Sequence, residues 1–205
     1  FADPGLEKLT LAWYARSAPD FYSRVTVGYL ERMHAGVSGE VLWKPVESRL
    51  ALGAELNYTK QRDTDGGLGF DEYDYDIVTG HVSAYYDFGN GFLGQLDVGK
   101  YLAGDVGATV SVDRVFANGW KVGAFATVTD VDPEDFGPSG FDKGIRFTIP
   151  LNWAMGTESR QGFGATLRPG GGDGGARVEV DGRLYDSIRE YHGDALDPEW
   201  GRVWR

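Results

Sequence analysis

The 205-residue sequence contains no cysteine. That excludes a disulfide framework, a thiolate metal site and a cysteine nucleophile. Cations are in deficit: 20 lysines and arginines stand against 31 aspartates and glutamates, for a net charge of −11. Nucleic acid is therefore not an expected partner, because phosphate binding needs a cationic footprint. No apolar run approaches the ~20 residues of a membrane helix. Membrane strands stay open, since each needs only about ten alternating residues. The chain begins at Phe1, with neither a basic n-region nor an apolar h-region. A processed protein or a fragment is expected, with any export signal outside it. The three histidines, His34, His81 and His192, are far apart and in no metal-ligand spacing.

Glycine, with 31 residues, and aromatics, at 14%, are abundant instead. Glycine in strands marks bends, bulges and close backbone approaches. The length suits one domain, and all-β barrels reach this size as a single unit. From Phe92 to Val128 three stretches alternate strictly. Phe92, Gly94, Leu96 and Val98 share one face against Gln95 and Asp97. Val106, Ala108, Val110 and Val112 oppose Asp105, Thr109, Ser111 and Asp113. Trp120, Val122, Ala124, Ala126 and Val128 oppose Lys121, Thr127 and Thr129. A period of two means strand, because successive Cβ atoms point to opposite sides of a sheet.

The same reading along the chain predicts about eleven strands, near 6–16, 21–32, 35–44, 49–60, 75–88, 91–101, 105–116, 119–130, 143–153, 161–168 and 176–182. Arg183–Tyr191 is a short helix or a last strand. Connections mostly alternate between tight and long. Lys44–Arg49, Phe88–Gly91 and Phe116–Gly119 are tight, with Asn90-Gly91 and Asn118-Gly119 as hairpin signals. Gln61–Asp74, Asp130–Asp142 and Pro169–Gly175 are long. Short turns at one end and long loops at the other mark an outer-membrane barrel. Trp43, Phe88, Phe92, Phe116 and Trp120 gather beside the tight turns, as in an interfacial girdle. A soluble β-sandwich or ligand-binding barrel would also alternate, with its apolar face inward. Arg114 falls on the apolar face near a turn, from which it could snorkel.

Motifs that would carry chemistry fail on inspection. The run Pro169-Gly-Gly-Gly-Asp-Gly-Gly lacks the Gly-Lys-Ser/Thr and the helix start of a phosphate cradle. The acidic loop Asp130, Asp132, Glu134 and Asp135 lacks the EF-hand glycine and is broken by Pro133. Asp63, Asp65, Asp71, Glu72, Asp74 and Asp76 are interleaved with Phe70, Tyr73 and Tyr75, which could stack on sugar rings. No serine has a nucleophile-elbow context, and no cofactor or catalytic residue is implied.

Several segments resemble the YjbH family of bacterial outer-membrane exopolysaccharide-biosynthesis proteins, which includes the capsule-related GfcD proteins. They are Gly99-Lys-Tyr-Leu-Ala-Gly-Asp-Val-Gly-Ala-Thr, Asn118-Gly-Trp-Lys-Val-Gly-Ala-Phe-Ala-Thr-Val-Thr-Asp-Val and Phe136-Gly-Pro-Ser-Gly-Phe-Asp-Lys-Gly-Ile. Ile149-Pro-Leu, Asp173-Gly-Gly-Ala-Arg, Gly182-Arg-Leu-Tyr and Trp200-Gly-Arg-Val-Trp-Arg follow in order. Residues 85–205 thus look like the C-terminal part of that family, whose members are longer and often described as lipoproteins. The resemblance implies an envelope β-barrel serving secretion or assembly of an extracellular polysaccharide. It brings no established catalytic residues. The chain departs from the pattern in ending at Arg205 and in lacking the lipoprotein cysteine.

The expectation is therefore an all-β, antiparallel up-and-down barrel of about 10–12 strands over residues 1–182, alone or as part of a larger barrel. Residues 183–205 form a tail. The site is a lumen, not a catalytic centre, carrying Arg24, Arg49, Glu55, Gln95, Asp97, Asp113, Lys121 and Arg146. Gating or recognition is assigned to the loop Asp130–Lys143, through Asp130, Asp132, Phe141, Asp142 and Lys143. Phe141 would stack on sugar, and Asp142 and Lys143 would pair or bind hydroxyls. Expected partners are polysaccharide, outer-membrane lipid and other exopolysaccharide secretion proteins. The expected location is the bacterial outer membrane. The alternative is a soluble envelope β-domain that binds glycan with its apolar residues inside.

Overall fold

A computed structural model describes residues 5–63, 67–116, 120–130, 141–150, 162–168 and 175–189. Ten strands form among the described residues: β1 (Leu9–Ala18), β2 (Phe21–Tyr29), β3 (His34–Trp43), β4 (Leu50–Gln61), β5 (Asp76–Gly89), β6 (Phe92–Lys100), β7 (Val106–Val115), β8 (Lys121–Thr129), β9 (Phe141–Pro150) and β10 (Gly162–Leu167). A short helix follows, α1 (Leu184–Arg189). The strands form one sheet in chain order from β1 to β10. The paired neighbours are antiparallel hairpin partners. Among the described residues the order ends at β1 on one side and β10 on the other, an open all-β antiparallel sheet.

Ten of the expected strands form within a few residues of their sequence bounds. The eleventh, at 176–182, does not. Val178 and Val180 are buried and Glu179 and Asp181 are exposed, so the period of two is real. The segment joins no ladder: Ala176 accepts from the Leu102 amide at 2.9 Å, and from residue 177 onward its hydrogen bonds to the sheet each involve a side chain. Asn118-Gly119 and the glycine run 169–174 lie outside the described residues.

The Asn90-Gly91 turn has the chemistry expected of it. Asn90 has φ 54° and Gly91 has φ 79°. Two positive φ values in succession make a type I′ turn, whose twist matches the flanking strands. The Val115 amide donates to the Gly91 carbonyl at 2.8 Å, and a Cβ on Gly91 would lie 2.3 Å from the Val115 carbonyl oxygen.

The chain divides into two compact units, Phe1–Val82 with Arg177–Arg205, and Ser83–Ala176. Within each unit, burial is inverted relative to a water-soluble protein. In the first, Arg24, Thr26, Ser38, Glu40, Glu55, Asn57 and Thr79 are buried, while Leu11, Trp13, Val25, Val41, Leu56 (63%) and Val82 (64%) are exposed. In the second, Ser83, Asp97, Ser111 and Thr127 are buried, while Leu96, Val110, Val112, Val128 and Ile145 are exposed. Contiguous exposed apolar patches mark contact surfaces.

Candidate functional site

The polar face of the first unit is built by register. Arg24 of β2 lies opposite Glu40 of β3, and Glu40 lies opposite Glu55 of β4. Like charges directly opposite each other on a sheet repel. The pair is stable here because guanidinium groups enclose it. Arg24, fully buried, places Nε 2.9 Å from Glu40 Oε2 and an NH2 group 3.4 Å from Glu55 Oε2. Its remaining donors reach Ser38 Oγ at 3.2 Å, Thr26 Oγ1 at 3.4 Å and the Asp181 carbonyl at 3.0 Å. Glu55 also accepts from Asn57 at 3.0 Å.

Segment 177–189 supplies the other half. Arg183 donates to both Glu55 oxygens, at 3.0 and 3.2 Å, and Arg177 approaches the same carboxylate at 3.4 Å. The Leu184 amide, at the start of α1, donates to both oxygens of Glu40 at 3.1 and 3.2 Å. Val178, Val180, Leu184 and Tyr185 are buried. The edges are fixed by Tyr14 to the Gly182 carbonyl at 3.1 Å, by the Glu179 amide to Glu31 Oε2 at 3.1 Å, and by Lys8 to Asp181 at 2.9 Å. Partial burial works against the Lys8 ammonium, but Asp181, with Glu179 adding, holds its pKa above the ordinary lysine value.

A second polar keystone holds the β4–β5 connection. The Arg62 side chain is fully buried and donates to the carbonyls of Leu6, Glu7, Glu31 and Gly67 at 2.9–3.3 Å. Its guanidinium lies 4.4 Å from the Tyr29 ring centroid. Phe70, one of the aromatics expected to meet sugar, instead stacks on Tyr29 at 6.0 Å. Tyr73 and Tyr75 are exposed.

In the second unit, Asp113, Gly123 and Arg146 occupy one register row. Gly123 has no side chain, so Arg146 reaches across it to Asp113 at 2.5 and 2.8 Å. A Cβ on Gly123 would lie 1.7 Å from Asp113 Oδ1. Arg146 also reaches Ser111 at 3.1 Å. Asp97 is buried and accepts from Ser83 at 2.5 Å and from Gln95 at 2.8 Å. Tyr101, Thr109 and Thr127 form a hydroxyl chain, at 2.6 and 2.8 Å.

The residues expected in the lumen thus fall into three groups. Arg24 with Glu55, Gln95 with Asp97, and Asp113 with Arg146 make interactions on the buried side. Lys121 is half-buried at the start of β8. Arg49 is corrected: it has the right parity but sits in the β3–β4 turn, exposed, before the ladder begins. The loop expectations also change. Phe141, Asp142 and Lys143 are residues of β9, not of a loop. Asp142 is buried and pairs with Arg168 at 3.6 Å, while Lys143 lies 5.5 Å from the Phe141 ring. Asp130 is exposed and accepts from the Val106 amide at 2.6 Å. Asp132 lies outside the described residues. Arg114 is exposed on the apolar face, with its guanidinium 4.7 Å from Phe92 and 5.2 Å from Phe116.

The residues expected in the lumen did not include Glu40, Arg62, Arg177 or Arg183. Aligning the β2–β3 and β3–β4 hairpins by their turns would have put Arg24, Glu40 and Glu55 in one row. The two arginines flanking Val178 and Val180 were then the available cations.

The sequence profile of the YjbH family, described as "Exopolysaccharide biosynthesis protein YbjH", matches residues 2–190. A protein of Escherichia coli (strain K12) named "Uncharacterized lipoprotein YjbH" is 37% identical over 189 residues, covering 90% of this chain. The chain spans 27% of that relative's length. No solved structure matches it. By a match over almost its whole length, this chain with its inverted sheet belongs to the YjbH exopolysaccharide biosynthesis family.

Proposed function

We propose that the chain is an outer-membrane β-barrel, or a section of one, that serves secretion or assembly of an exopolysaccharide. The observation that carries this reading is the inversion of burial: apolar rows outward and polar rows inward along successive strands. Lipid accommodates the first arrangement and water the second. The apolar rows contact lipid, and the aromatic residues near the tight turns sit at the headgroup level. The polar rows line a water-filled path. Side chains of both signs there let a hydroxyl-rich sugar chain exchange water for many weak contacts, as conduction requires. Family membership supports the polysaccharide as cargo.

The role is that of a conduit or scaffold, not of an enzyme. Glu40 and Glu55 are the carboxylates best placed to act as acid and base, and both are held by guanidinium groups or backbone N–H groups. Expression followed by fractionation tests the location. The protein should sediment with outer membrane and resist extraction by urea. Clean solubility as a monomer without detergent would contradict the reading and favour the soluble glycan-binding domain. For the conduit, loss of charge at Asp97, Asp113 or Arg146 should alter polysaccharide export. Unchanged export across all three would count against it.

A further inference from the structure

We propose that segment 177–189 is a releasable strap that closes the polar face of β2–β4, latched on Glu40 and Glu55, and that passage of polysaccharide along that face requires its release. This rests on the conduit reading and adds its regulation.

The argument begins with how the strap is held. Strands hold one another by backbone ladders, whereas this segment is attached to β1–β4 through side chains. Its attachments are Arg183 and Arg177 on Glu55, the Leu184 amide on Glu40, the Asp181 and Gly182 carbonyls under Arg24 and Tyr14, the Glu179 amide on Glu31, and Asp181 and Glu179 on Lys8. Releasing it therefore breaks no ladder. Every polar group uncovered is one that water or a sugar hydroxyl can satisfy. Its apolar grip consists of four side chains, Val178, Val180, Leu184 and Tyr185. A six-residue helix such as α1 has no independent stability, since helices of fewer than about 12 residues are marginal in water. Lying outside the ladders, the segment can open as a unit while the strands stay paired.

The strap also changes the charge of the face it covers. Without it, the row carries one guanidinium, Arg24, against two carboxylates, Glu40 and Glu55. With it, Arg177 and Arg183 reverse the balance. Release thus exposes a hydrogen-bonding row with one carboxylate in excess, fit for contact with hydroxyl-rich neutral sugar chains.

The cysteine-free sequence allows a direct test. Val180→Cys would be introduced in the full chain and in Arg177→Gln/Arg183→Gln, with both proteins reconstituted in phosphatidylethanolamine–phosphatidylglycerol vesicles. Those substitutions leave the Arg24–Glu40–Glu55 row of the strands intact. Glu40→Gln provides a second variant that loosens the latch from the strand side. A water-soluble maleimide reports exposure of the thiol introduced at position 180, and efflux of a neutral oligosaccharide reports passage. Labelling should be slow in the parent and faster by roughly tenfold or more in either variant, as expected when a local opening equilibrium loses its ion pairs. Efflux should rise with it. Labelling as fast in the parent as in both variants would overturn the strap. Equal efflux from parent and variants, with the introduced thiol protected in the parent, would overturn the gate and leave the conduit standing. Fast labelling of the variants with no efflux from any protein would overturn the conduit reading, and the gate with it.

Discussion

Glu55 shows how a buried charge becomes tolerable. It sits opposite a second carboxylate, and three arginines reach it. Breaking a buried ion pair by removing one partner leaves the others uncompensated, so Glu55→Ala should cost about 3–5 kcal/mol in unfolding free energy. Arg49→Ala, at an exposed turn, should stay within about 0.5 kcal/mol. Denaturant unfolding of the refolded proteins measures both. Gly123→Ala is a different case. Its Cβ displaces the Asp113 carboxylate, yet Arg146 is 40% exposed, so losing that pair should cost no more than about 1 kcal/mol. Because the Lys8 pKa is raised, its contribution is complete below the ordinary value of 10.5 and is lost only as pH rises through the higher folded value. The strap end at Asp181 therefore keeps this cation through neutral pH. At this scale the sequence was half legible. Parity placed Arg24 and Glu55 on one face, but parity cannot tell a ladder position from a turn, which is where Arg49 went astray.

Strands were the most legible elements, because a period of two is set by backbone geometry and survives any uncertainty about what covers each face. The segment at 176–182 has the same period and is not a strand. Its alternation reflects burial against side chains of the sheet, not pairing with a neighbour. The hairpin signal at Asn90-Gly91 was readable because only positive φ values fit that turn. Gly91→Ala should destabilise by more than about 1 kcal/mol, since its Cβ is strained at that φ and abuts the Val115 carbonyl. Arg substitutions at mid-strand separate lipid from water outside the sheet. Leu56→Arg and Val82→Arg should each cost about 2–4 kcal/mol in a bilayer if the residues lie near its midplane. Facing water, the same changes should stay within about 0.5 kcal/mol. Unfolding from lipid vesicles measures the difference.

For the whole molecule, the sequence could not say which face was buried. A sandwich and a membrane sheet write the same alternation, and only the placement of Arg24, Glu40, Glu55 and Asp97 away from solvent distinguishes them. Family membership adds exopolysaccharide biosynthesis, and the chain spans 27% of the relative's length. The central claim is that the exposed apolar face lies in lipid. Single cysteines at Glu55, Leu56, Asn57 and Tyr58 of β4, each carrying a nitroxide in the membrane-reconstituted protein, test it most directly. Relaxation by oxygen, which concentrates in lipid, should be high at Leu56 and Tyr58 and low at Glu55 and Asn57. A water-soluble nickel reagent should reach Leu56 and Tyr58 poorly. High accessibility to nickel and low accessibility to oxygen at Leu56 and Tyr58 would contradict the account.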